Sequence, residues 1–95
     1  MNGAQVDEGR WQRALVAWRA VGPEIVIARP RREDFDVLRG ATAEVWRTLE
    51  RPTSVAQMAS TFAARYDADR ATIAADLTRA VADLKARGLV EEVAR

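Results

Sequence analysis

Ninety-five residues, of which 48% are hydrophobic and 19 are alanine, bound one small domain with a single modest core, whose marginal stability a bound partner would raise. Fourteen Arg and one Lys stand against 14 acids for a net charge of +1, so no domain-wide basic field exists to hold a polyanion, and nucleic acid is disfavoured as the main partner. The absence of Cys excludes disulfides, thiolate metal sites and cysteine nucleophiles; the absence of His removes the usual general base and the commonest metal ligand, so neither a metal nor an organic cofactor is expected.

Residues 1–10 (MNGAQVDEGR) carry one large internal apolar side chain, Val6, and read as a disordered tail before a domain spanning 11–95. The polar start lacks the apolar run of a signal peptide, and no stretch approaches the ~20 apolar residues that span a bilayer. A soluble cytoplasmic chain with no membrane partner is expected. Ala14–Val21, Ile25–Arg29 and Phe35–Leu38 are rich in β-branched and aromatic residues and predict three short strands. Gly22-Pro23-Glu24 and the charged run from Pro30 to Asp34 form the turns between them, giving a three-stranded antiparallel meander.

Three helices follow. The first runs from about Ala41 to Leu49, with Val45, Trp46 and Leu49 on its apolar face, and Pro52 prevents its continuation. The second begins at a capping box, Ser54 with Gln57, and places Val55, Met58, Ala59, Phe62 and Tyr66 at helical spacing. The third has Asp69 as N-cap, a stripe of Ile73, Leu77, Ala80, Val81 and Leu84, and Gly88 as its C′ glycine. Leu89-Val90 is an apolar pair placed to pack back under the helices. The fold class is α+β: a three-stranded antiparallel sheet followed by a three-helix bundle, with a winged-helix-like order.

Nothing in this pattern supports an enzyme. The carboxylate pairs Asp34/Asp36, Asp67/Asp69 and Glu91/Glu92 fall in turns, a short strand and the tail, where acids are solvated, and the scattered Gly residues form no phosphate-binding loop. Arg29, Arg31 and Arg32 read as a solvated hairpin tip offset by Glu33, Asp34 and Asp36. The alternative function is a winged-helix DNA-binding transcriptional regulator, with the third helix as reader. Its early positions Asp69, Arg70, Thr72, Asp76 and Arg79 mix acids with arginines, which speaks against that role. Phe35–Leu38 is last in the meander, so one of its edges is open to an added strand, from a peptide or from a second copy in a homodimer.

From Leu38 onward the sequence resembles the PqqD-like family, whose members recognise ribosomally made, post-translationally modified peptides. The family's junction pattern Leu-Asn-x-Thr-Ala-Ala-x-Ile-Trp stands here as Leu38-Arg39-Gly40-Ala41-Thr42-Ala43-Glu44-Val45-Trp46. Its second segment stands as Ser54-Val55-Ala56-Gln57-Met58-Ala59 with Tyr66-Asp67, and its third runs from Asp76-Leu77 through Leu84 to Gly88-Leu89. The resemblance covers about Ala14 to Val90. Three departures stand out: the family's Asn is Arg39, its Thr is Ala41, and its third-helix Phe is Ala80, which implies a wider groove.

The resemblance implies non-catalytic binding of the leader segment of a precursor peptide, which adds as a strand beside Phe35, Asp36, Val37 and Leu38. Side chains of that leader would enter a groove along Asp76, Ala80, Asp83 and Arg87, which share one flank of the third helix. The partners implied are the precursor's leader and a modifying enzyme: a radical-SAM enzyme, a cyclase or a leader peptidase.

Overall fold

The computed structural model describes residues 9–93. Its elements are β1 (Arg10–Arg13), β2 (Ala17–Val21), β3 (Glu24–Ala28), β4 (Phe35–Leu38), α1 (Gly40–Thr48), β5 (Thr53–Ser54), α2 (Val55–Tyr66), α3 (Arg70–Ala86) and β6 (Val90–Glu92). The expected meander is present as β2-β3-β4, antiparallel throughout and followed by the three helices.

The meander's register follows from its first turn. Gly22 has φ +58°, which glycine adopts without penalty, and Pro23 completes a two-residue connection closed by the pair Val21↔Glu24. Arg47 on α1 donates to the Gly22 and Pro23 carbonyls at 3.0 and 3.1 Å and pins the turn against the helix. In such a hairpin the closing pair exchanges both backbone bonds, and the direction then alternates residue by residue. The backbone groups of Ile25 and Ile27 therefore face β4, where Leu38 and Asp36 oppose them. The N–H and C=O groups of Phe35 and Val37 point the other way, to the outer edge of β4. Side chains alternate as well: Ile25, Ile27 and Leu38 are fully buried beneath the helices, on a core centred on Trp46, Met58 and Leu84.

The helices start and stop where local chemistry dictates. Ser54 accepts from the Gln57 N–H at 3.1 Å while the Gln57 side chain accepts from the Ser54 N–H at 3.0 Å, which completes the capping box. Asp69 accepts from the Thr72 N–H at 3.1 Å. At the end of α3, the Gly88 N–H reaches the Lys85 carbonyl and the Leu89 N–H reaches the Leu84 carbonyl, both at 2.9 Å, with Gly88 at φ +73°. That is the paired bonding of a Schellman cap.

Two expectations need correction. The first strand does not run unbroken from Ala14: the chain forms β1, breaks at Ala14–Val16, and resumes as β2. Arg10, placed in the tail by sequence, is the first residue of β1, while residues 1–8 of that tail lie outside the described residues. β1 is the centre of a second small sheet, β5-β1-β6, with Trp11 opposite both Thr53 and Glu92. Leu89 and Val90 are buried as expected, but Val90 is there as a strand residue. Strands of two to four residues built from sequence-distant partners carry no local periodicity of their own.

Candidate functional site

β4 lies at the end of its sheet, paired with β3 on one side only. The sequence-predicted strand residues divide sharply by role. Phe35 is 63% exposed, and its side chain lies on the sheet face away from the helices. Val37 is half-buried, shares that face, and presents its backbone outward. Asp36 is half-buried on the helix side and ion-paired with Arg29. Leu38 belongs to the core: its side chain is fully buried and its backbone faces β3, so it anchors the strand without touching the edge. Arg29 is therefore no solvated tip residue, unlike Arg31 and Arg32, which stay exposed.

Beyond the end of β4, α1 and α3 flank a shallow, open depression of about 360 Å³ lined by Arg39, Ala41, Thr42, Asp76, Arg79, Ala80 and Asp83. Three of the four predicted α3 residues meet there. The fourth, Arg87, is one turn on and holds Asp83 at 3.0 Å. Asp76 is likewise tied to Arg79 one turn along α3. Ala80 is buried, and its small side chain, opposite Ala41, leaves the space that a larger residue would fill. The end of α3 also comes within reach of the edge strand. A Cβ on Gly88 would lie 3.9 Å from the guanidinium of Arg29, the partner of Asp36.

Sequence reasoning did not single out Arg29, Arg39, Ala41, Thr42 or Arg79 for the site. Arg39 and Ala41 sit in the junction motif where the chain departs from the PqqD-like pattern it resembles, which was the available signal. Arg29 had none, because its pairing with Asp36 depends on the β3–β4 register.

Hydrogen bonding and charge from Arg32 hold the Asp34 carboxyl below its ordinary value, and hydrogen bonds from Thr72 do the same for Asp69. Both directions oppose what a general acid requires. Among the described residues no three His, Cys, Asp or Glu side chains gather as a metal site would need, and no helix is long and apolar enough to cross a membrane.

Comparison with known proteins agrees with the fold. A solved structure described as TbiB1 in complex with the TbiA(beta) leader peptide shares the fold, with a TM-score of 0.71 and 22% identity over 88% of this chain and 99% of that one. No curated protein sequence matches the chain. A family profile described as Coenzyme PQQ synthesis protein D (PqqD) matches residues 24–90, which run from β3 to the start of β6 and make up most of the chain. The chain belongs to the PqqD family.

Proposed function

We propose that the protein is a non-catalytic recognition element that binds the leader segment of a ribosomally made precursor peptide as an added strand on β4 and presents the peptide to a modifying enzyme. The observation that carries this reading is the open edge of β4, with the backbone groups of Phe35 and Val37 turned outward beside the α3 depression. Main-chain bonds along that edge supply affinity, and the pocket over Ala80 with its rim of Asp76, Asp83 and Arg87 reads leader side chains. The Arg29–Asp36 pair neutralises the one charge on β4 that faces the groove, so an apolar leader residue can approach it. Family membership supports the reading, as does the shared fold of a protein solved with a leader peptide. The enzyme served is a radical-SAM enzyme, a cyclase or a leader peptidase, acting in the cytoplasm where precursors are made. A DNA-reading role for α3 finds no comparable support, since Arg79 is held by Asp76 on the helix's own surface.

The test is a pair of proline substitutions. The Val37 N–H faces outward, so Val37→Pro removes a bond to the leader and none to β3. Calorimetric titration with the leader encoded beside the chain should show binding weakened by about 1–3 kcal/mol, the scale of a backbone acceptor left unpaired. Asp36→Pro removes an inward bond and the Arg29 partner, so its melting temperature should fall instead. A folded Val37→Pro protein that binds the leader as well as the parent does would refute strand addition at this edge.

A further inference from the structure

The β3–β4 connection carries a strained cation that the fold does not use. Arg29-Pro30-Arg31-Arg32 is a tight turn, closed by a bond from the Arg32 N–H to the Arg29 carbonyl at 3.4 Å. Proline fixes the second position near φ of about −65°. Arg31 follows at φ +64°, which makes the turn type II. That third position favours glycine or asparagine, and a long L side chain there costs backbone strain. The neighbouring guanidinium groups are both engaged, Arg29 with Asp36 and Arg32 with Asp34 at 3.2 Å. Arg31 is exposed and makes no ion pair among the described residues. Strain kept at a residue that serves neither core nor ladder points to a use outside the fold.

We propose that Arg31 is a specificity residue that binds a carboxylate of the leader, from an Asp or Glu within about four residues of the segment paired with β4; the inference rests on the leader-binding reading above. The turn projects past the Phe35 end of the edge strand, because Ala28↔Phe35 is the last pair of the ladder. A leader strand that continues beyond Phe35 therefore runs beside this loop, whichever way the strand is directed. Arg31 precedes Phe35 by four positions, and an extended leader covers about 13 Å in as many residues. A guanidinium suits a carboxylate there, since its planar fork can donate two parallel bonds. Glu33, exposed and likewise without an ion pair among the described residues, offsets the long-range field of the loop. Arg31 thus acts on a carboxylate that the paired strand holds close, and not on any passing anion. The strand supplies affinity, and Arg31 adds a charge requirement outside it.

The experiment titrates the leader encoded beside the chain into the parent, Arg31→Asn, Arg31→Lys, Arg31→Glu and Val37→Pro by calorimetry, with a thermal melt of each. Arg31→Asn should melt at or above the parent, because asparagine visits the left-handed region more readily. It should nonetheless bind leader about three- to fivefold more weakly, the scale of an exposed ion pair. Arg31→Glu should weaken binding by about tenfold or more and Arg31→Lys by less than Arg31→Asn, with all these differences shrinking at high salt. A leader whose nearby Asp and Glu are replaced by Asn and Gln should bind parent and Arg31→Asn alike. Leader affinity that ignores Arg31→Asn and Arg31→Glu while Val37→Pro lowers it would overturn the proposal and leave strand addition standing. So would an Arg31→Asn chain that melts below the parent, since the side chain would then serve the fold. Normal leader binding with self-association in sedimentation would overturn it as well, because Arg31 would then guard the edge. If the parent binds no leader, this proposal and the leader reading fall together.

Discussion

Arg13 shows how much one side chain can join in a chain of this size. Its guanidinium lies over the rings of Trp18 and Trp46, 4.6 and 5.3 Å from their centroids, and donates to the Trp46 carbonyl at 2.8 and 2.6 Å and to the Arg47 carbonyl at 3.3 Å. It thus serves as a C-terminal cap for α1 while tying that helix to β1 and β2. Burial lowers its pKa and Glu50 works in the opposite direction, and a guanidinium stays charged regardless. Asp69 does the corresponding work at the start of α3, accepting from both the N–H and the hydroxyl of Thr72. Those bonds favour the ionised form and hold the carboxyl below its ordinary value. A carboxyl whose folded pKa is depressed contributes stability that is complete above the unfolded value and lost as pH falls through the folded one. Asp69→Ala should therefore melt below the parent at neutral pH, and the gap should close as pH drops below about 4, where carboxyls ordinarily protonate. Thermal melts from pH 7 to pH 2.5 check this. A gap that persists unchanged to the acid end would show that the cap does not depend on the ionised carboxylate.

At the scale of elements, the end of α3 gives the cleanest test. Gly88 sits at φ +73°, and a Cβ there would meet nothing closer than ordinary contact distance, so replacing it strains only the backbone. Gly88→Ala should cost about 1–2 kcal/mol of stability, and Gly88→Asn less, since Asn visits the left-handed region more readily. Denaturant unfolding of the two variants measures both, and equal stability of Gly88→Ala and parent would contradict the Schellman geometry. This cap was legible in the sequence because its signal is local, as were the Ser54–Gln57 box, the Asp69 cap and the Gly22-Pro23 turn. Phe35–Leu38 was legible too, as a β-branched and aromatic run between charged turns. The second sheet was not. β1 reads RWQR, with no β-branched residue, and its partners β5 and β6 are two and three residues long and arrive from far along the chain. The α3 flank of the site could be read from helical spacing, which put Asp76, Ala80 and Asp83 together. Its opposite wall at Arg39, Ala41 and Thr42 depends on how α1 packs against α3, and that packing is tertiary.

For the whole molecule, the second sheet decides whether the family-matched segment can stand alone. That segment begins at Glu24, so β1 and β2 lie outside it. Yet β1 is the central strand of β5-β1-β6, and among the described residues no other element bonds to both β5, which leads into α2, and β6, which follows α3. Ala14 donates to the Leu89 carbonyl at 2.9 Å and Val93 to the Arg10 carbonyl at 2.8 Å, so the strand also fixes the chain just past the Gly88 cap. Removing the chain through Arg13 would delete a half-buried Trp11 packed on the core, the ladder bonds to both neighbours, and the Arg13 clamp on α1. A core Trp alone is worth about 3–5 kcal/mol when fully buried, and each backbone bond about 1 kcal/mol net. Even discounted for Trp11's partial exposure, the loss approaches the 5–15 kcal/mol that ordinarily holds a domain together. A chain beginning at Ala14 should therefore lose its cooperative thermal transition and its near-ultraviolet dichroism while keeping some helical signal. Leader binding should go with them, because Leu89 and Gly88 hold the end of α3 beside Arg29 and Asp36. A truncated chain that melts cooperatively within a few degrees of the parent would show that β2-β3-β4 and the helices are self-sufficient, and that β1 only covers them.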